Sequence, residues 1–228
     1  MTGRIVAAGI LVVVAAGAAR ADLVSVSSFD DLLYWTGSGT NEAALVLQFP
    51  TTVSSSTVAP AAIAWGYRWN GSATMEQMVF ALAGGITGGP APAAGSDPRL
   101  AFDVSDWGTL SKPEYFVNSI SYAQAGLPAG WSPVTREIPE WNDPNFAALY
   151  TRAGDGSWSS GPFTLSDFGM SSITLADGDW YGFVYTDGPG TFAFSQPVAA
   201  VPEPATWTML LGGALAAIAV ARRRARRS

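Results

Sequence analysis

A mostly β, α+β fold is predicted for the central part of this chain: an antiparallel sheet or sandwich carrying one short packed helix. Three observations predict it. Ile63, Trp65, Tyr67 and Trp69 recur at period two in IAWGYRW, so a strand puts all four on one face. Directly afterwards the period changes, and Met75, Met78, Val79 and Leu82 form one stripe of a helix at about 74–83. From Gly154 onward short apolar runs alternate with the pairs Asp155-Gly156, Asp177-Gly178 and Asp187-Gly188, which are hairpin signals.

In chain order, residues 1–21 have the layout of a secretory signal peptide. Arg4 gives the positive start, Ile5–Ala19 the apolar stretch, and Ala19-Arg20-Ala21 the small-x-small site for signal peptidase. The mature chain then begins at Asp22. The rival reading, an uncleaved anchor, is disfavoured by the shortness of the apolar stretch. Residues 22–200 are expected to form one extracytoplasmic β-rich domain. Ala43–Phe49 is an apolar run stopped by Pro50 and reads as a buried strand. The 63–69 strand ends at Asn70-Gly71, which suits a turn. That turn also accounts for Asn70-Gly71-Ser72 as a chance glycosylation match.

Thr74 with Gln77 starts the helix as a capping box, and Gly84-Gly85 is read as its stop. Gly84–Asp97 reads as a flexible loop, and 99–104 and 114–122 as strands. In the second, Tyr115, Val117 and Ser119 alternate with Phe116, Asn118 and Ile120. Leu127–Asn145 contains Pro128, Pro133, Pro139 and Pro144 with Trp131 and Trp141, and reads as a long loop. The Asp-Gly half reads as an antiparallel meander, and 198–201 as a link to the C-terminal segment.

That segment holds a Pro-Glu-Pro triplet, an uncharged run at 205–221, and a tail with five arginines. As a helix the run spans about 25 Å at ~1.5 Å per residue, the short end of a single transmembrane crossing. Arginines beside such a span are retained inside, which puts the preceding domain outside the cytoplasm. Pro202, Glu203, Pro204, Trp207, the Leu/Gly/Ala-rich run and Arg222, Arg223 and Arg224 with their neighbours resemble the PEP-CTERM sorting signal of bacterial exported proteins. The resemblance implies that 201–228 is a sorting signal handled by an exosortase, a membrane-embedded protease-transferase. It also implies a destination at the cell surface or in an exopolysaccharide matrix. WGYRWNG (65–71), a Thr-started helix and DPRL (97–100) also resemble a pattern in uncharacterised exported proteins of this kind, with no activity implied.

Composition narrows the chemistry. The chain has no cysteine and no histidine. That removes disulfide staples, Ser-His-Asp and Cys-His nucleophiles and the usual zinc sites. Between Asp22 and Val201 five basic residues face 17 acidic ones, a net −12. Such a domain repels nucleic acid and does not need it as a partner. No cofactor is implied. The leading expectation is a non-catalytic structural protein of the surface or matrix, associated with exopolysaccharide or biofilm.

The alternative is a carbohydrate-binding module in which Trp65, Tyr67 and Trp69 contact glycan, helped by Trp131, Trp141, Trp158 and Trp180. Against it, an aromatic strand face beside an amphipathic helix is more often core. A carboxylate-based hydrolase would need a converging acid pair, and none is singled out by the sequence. Asp155, Asp177, Asp179 and Asp187 have the oxygens calcium prefers, but they lack the spacing of a calcium loop, and turn formation explains them.

Overall fold

The computed structural model describes residues 24–49, 52–53, 56–57, 62–109, 114–123, 135–138, 146–159, 161–186 and 191–200. The signal peptide at 1–21, the sorting residues and 205–221 span, Trp131, Trp141 and Asp187-Gly188 lie outside these. Among the described residues no helix is long and apolar enough to cross a membrane.

The strands are β1 (Trp35–Gly37), β2 (Asn41–Gln48), β3 (Thr52–Val53), β4 (Ser56–Thr57), β5 (Ala62–Trp69), β6 (Ala83–Thr87) and β7 (Asp97–Asp106). They continue with β8 (Tyr115–Ala123), β9 (Thr135–Ile138), β10 (Phe146–Arg152), β11 (Phe163–Leu165), β12 (Trp180–Thr186), β13 (Thr191–Phe192) and β14 (Val198–Ala199). The α-helix α1 spans Met75–Leu82, and a 3-10 turn spans Phe29–Asp31. An eight-stranded sheet runs β1-β5-β2-β12-β10-β11-β13 with β14 also on β5; a four-stranded sheet runs β6-β7-β8-β9, and β3 pairs with β4.

The two larger sheets make a sandwich. One face of the eight-stranded sheet (Leu45, Leu47, Ile63, Trp65, Leu149, Phe183) shares a core with Leu100, Phe102, Ile120 and Tyr122 of the other sheet and with Met75, Met78, Val79 and Leu82 of α1. Its opposite face (Val46, Ala64, Tyr150, Phe163, Trp180) is covered by Val26, Phe29, Leu32 and Phe194. Double coverage is why β2 reads as an unbroken apolar run, whereas β7 alternates with one face in water.

The helix forms as its sequence requires. The Thr74 hydroxyl accepts from the Gln77 backbone N–H at 3.3 Å, and the Gln77 side chain accepts from the Thr74 N–H at 2.9 Å. Its end differs from expectation. The cap is Ala83 in extended conformation, and Gly84 and Gly85 lie inside β6. A Cβ on Gly84 would stand 2.5 Å from the Asp97 carbonyl oxygen and the Pro98 Cα, so the glycine permits close passage rather than a left-handed stop. The 84–97 loop is therefore part strand, and the 127–145 loop contains β9.

The sheets are also mixed rather than antiparallel. β1 with β5, β2 with β12, β14 with β5 and β6 with β7 all run parallel. The Asp-Gly half is no meander: β12 bypasses β11 and inserts between β10 and β2. The cause is composition. WYGFVYT is apolar toward both faces, with Tyr181 and Phe183 in one core and Trp180 and Val184 in the other, and only a central position buries both. The turns keep positive φ at Gly156 (83°) and Gly178 (84°), but they bond each other, Gly156 N–H to Gly178 O at 3.0 Å, rather than closing two-residue hairpins.

Residues 198–201, expected as a plain link, include β14 at Val198–Ala199. Its partner β5 receives β14 along residues 63–64 and β1 along 66–68, so one sheet edge is closed by two short strands. The Val26 N–H donates to Pro197 O and the Ala199 N–H to Val24 O, both at 2.9 Å. The two ends of the described domain are thus adjacent.

Candidate functional site

The aromatic strand comes first. Trp65 is fully buried, with its ring edge-on to Tyr122 at 5.2 Å. Tyr67 and Trp69 stack at 5.8 Å, Trp69 buried and Tyr67 half-buried, and burial raises the Tyr67 pKa above its ordinary value. Gly66, between Trp65 and Tyr67 on the opposite face, has no room for a Cβ, because the Trp35 ring lies 2.3 Å from that position. The rings of Trp65 and Trp69 therefore form interior, under the small sheet and α1. Of the other tryptophans, Trp180 is buried and Trp158 half-buried, packed together at 4.9 Å with the Arg152 guanidinium over both. Burial lowers the Arg152 pKa, and its Nη1 and Nη2 donate to the carbonyls of Ser159 and Ser157.

Beneath the aromatic strand lies a buried polar cluster. Asp97 is fully buried at the start of β7. It accepts from the Trp65 indole N–H at 3.0 Å, from Arg99 Nε at 2.8 Å, from Arg99 Nη2 at 2.9 Å and from the Arg99 backbone N–H at 3.1 Å. Arg99 in turn lies over Tyr122. Thus WGYRWNG and DPRL, 32 residues apart at Trp65 and Asp97, meet in one charge-assisted network. It is a joint between the two sheets.

Three of the four aspartates singled out for calcium hold turns, and Asp187 lies outside the described residues. Asp177 accepts from the Glu42 N–H at 2.7 Å, Asp179 from the Gly154 N–H at 3.0 Å, and Asp155 from the Ser157 N–H at 3.1 Å. The hydrogen bonds to Ser157 lower the Asp155 pKa. Burial raises that of Asp179 against the opposing Gly154 bond, and burial chiefly pushes the Tyr181 phenol up to about 12. Among the described residues no group of three potential ligands is placed to hold a metal ion.

One concave site goes beyond the sequence-based expectations. Between the two sheets, Tyr115, Phe116 and Val117 of β8, Leu149 of β10, Phe183 of β12 and the 165–170 segment line a groove of about 270 Å³. Phe168 (67% exposed) and Phe116 (38%) stand at its rim, and a second pocket of about 180 Å³, which shares Tyr115, Phe116 and Gly169 with it, carries Trp107 (78%) and Glu114. Trp107 and Phe116 are 5.9 Å apart at 40°.

Both projecting rings sit on pinned turns. Asp106 accepts from the Gly108 and Glu114 N–H groups, and the Trp107 N–H donates to Glu114 O. Ser166 Oγ accepts from the Phe168 N–H and donates to Phe168 O. The far lip is held by α1, whose Met75 and Glu76 N–H groups donate to Ile173 O and Met170 O. Ser171 Oγ accepts from the Tyr115 N–H and donates to the Glu76 carboxylate. No sequence cue marks this groove, because Phe116 falls at period two with Ile120 and Tyr122, which are core residues, so periodicity reads it as buried.

Pro202, Glu203, Pro204, Arg222, Arg223 and Arg224 lie outside the described residues, and the described domain ends at Ala200, whose N–H donates to Ala64 O at 2.9 Å. No curated protein and no solved structure matches the chain. The C-terminal stretch does match a family model, that of the PEP-CTERM protein-sorting motif, over residues 200–227, and the chain accordingly carries this motif.

Proposed function

We propose that this is an exported protein whose C-terminal signal is processed by an exosortase, and that its β-sandwich then serves a non-catalytic structural role at the cell surface or in an exopolysaccharide or biofilm matrix. The sorting motif at 200–227 carries the reading. The fold supports it in two ways. Among the described residues the last sheet bond is made by Ala200, so cutting at Pro202-Glu203-Pro204 removes none of the described strands. Alternate prolines also keep a backbone out of helix and sheet, open to an enzyme. In addition, Val24 and Ala199 are bonded, so an amino-terminal export signal and a carboxy-terminal anchor leave the domain at one place.

A structural role is supported by the lack of His and Cys and by the engagement of Asp155, Asp177 and Asp179 in turn-holding bonds. In this reading signal peptidase removes 1–21, the 205–221 segment holds the chain in the inner membrane, and the arginine tail stays inside. A reporter after Ser228 should remain cytoplasmic while one inserted at Gly88 is exported. Both reporters on one side would overturn the topology.

A further inference from the structure

The groove between the two sheets stands apart from the sorting signal. Folding normally covers rings as large as Trp107 and Phe168, yet here hydrogen-bonded turns hold both in water. The charged residues described along its two halves, Glu114 and Asp167, are acids, and Ser166, Ser171 and Ser172 add hydroxyls. The domain as a whole carries five basic against 17 acidic residues between Asp22 and Val201, and so repels a polyanion. Trp107 meets Phe116 at 40° and leaves most of its surface open, which makes a platform rather than an enclosure; a cation over one ring, as Arg99 lies over Tyr122, is the rival that oligolysine tests.

One backbone donor on this edge is already taken, since the Tyr115 N–H donates to Ser171 Oγ.

A sugar ring suits all of these features. It offers a flat C–H face to aromatic surface and a rim of hydroxyls that donate to carboxylates, and it carries no charge to be repelled. We propose that this groove is a binding site for a neutral polysaccharide. One pyranose ring stacks on Trp107 and Phe116, and the chain continues into the groove toward Phe168, with hydroxyls donating to Glu114 and Asp167. Trp107 is the principal contact, in place of the buried Trp65.

The test is calorimetric titration of the full-length protein in mild detergent with neutral gluco-, manno- and galacto-hexasaccharides, beside an oligogalacturonate and an oligolysine. At least one neutral hexasaccharide should bind. Trp107→Ala should weaken it about tenfold and Trp107→Phe less. Phe168→Ala should weaken it several-fold, and Trp65→Phe should leave it unchanged. Since Trp107 and Phe168 are solvent-exposed, their variants should keep the wild-type circular dichroism. Absence of binding by every neutral hexasaccharide, undiminished binding by Trp107→Ala, or preference for oligolysine or oligogalacturonate each overturns the proposal. None of these results bears on export or processing.

Discussion

Replacing Asp97 with alanine tests the joint between the sheets. Asp97 is fully buried and the Arg99 side chain 9% exposed, so neither is rescued by solvent once the other is gone. The substitution removes at once the acceptor of the Trp65 indole N–H, of the Arg99 backbone N–H and of Arg99 Nε and Nη2. Breaking a buried ion pair by removing one partner costs about 3–5 kcal/mol. An orphaned buried donor costs about 1–3 kcal/mol, and the terms overlap rather than add. An expected loss of about 3–5 kcal/mol is a large share of the ~5–15 kcal/mol that holds a domain together.

Trp65→Phe drops one donor, leaves the Arg99 bonds and opens a small cavity where the indole's second ring was, so it should cost less, about 2 kcal/mol. Urea unfolding of the full chain in mild detergent, followed by far-ultraviolet circular dichroism, gives both values if the slope is unchanged. A loss under about 0.5 kcal/mol for Asp97→Ala would refute the burial and the network.

Burial leads to two further expectations. Met78→Asp puts an unpaired charge between α1 and the sheets, where Met78 is fully buried, and should lower the urea-derived stability by about 3 kcal/mol or more. A change within about 0.5 kcal/mol would mean that the helix stripe faces water. Tyr181 has a folded pKa of about 12, above the unfolded value near 10. Its neutral form is favoured by folding, so that stability is complete below about pH 10 and is lost as pH rises through about 12. Urea midpoints from pH 8 to 12 should fall less steeply in Tyr181→Phe than in wild type, and parallel curves would contradict the assignment.

Local features were the legible ones. The capping box at Thr74 and Gln77, the Met/Leu stripe and the aromatic strand at 63–69 are set by residues close in sequence, and each appears where its spacing says. Long-range pairing was not legible. Nothing within SITLADGDWYGFVY says that β12 will run parallel to β2, because that choice depends on which strand must be buried on both faces. The Gly84-Gly85 pair shows the same limit. A glycine can mean a helix stop or a close approach, and only the position of Asp97 decides between them.

The groove stayed hidden because Trp107, Phe116 and Phe168 lie on three separate segments, and without the fold each is an ordinary aromatic. The buried network was half visible. Its two segments formed a recognisable pattern, but the bond between Trp65 and Asp97 that explains their co-occurrence needed the fold.

The central claim, sorting by processing at the Pro-Glu-Pro triplet, is tested most directly by the intact mass of the protein. Membrane and medium fractions would be compared from a host with and without its exosortase, for the wild type and for Glu203→Ala. The account predicts a C-terminus near residues 202–204 only for wild type with the exosortase present, and the full-length C-terminus at Ser228 otherwise. The same C-terminus in every sample would contradict it, leaving the triplet as a spacer ahead of an ordinary membrane anchor.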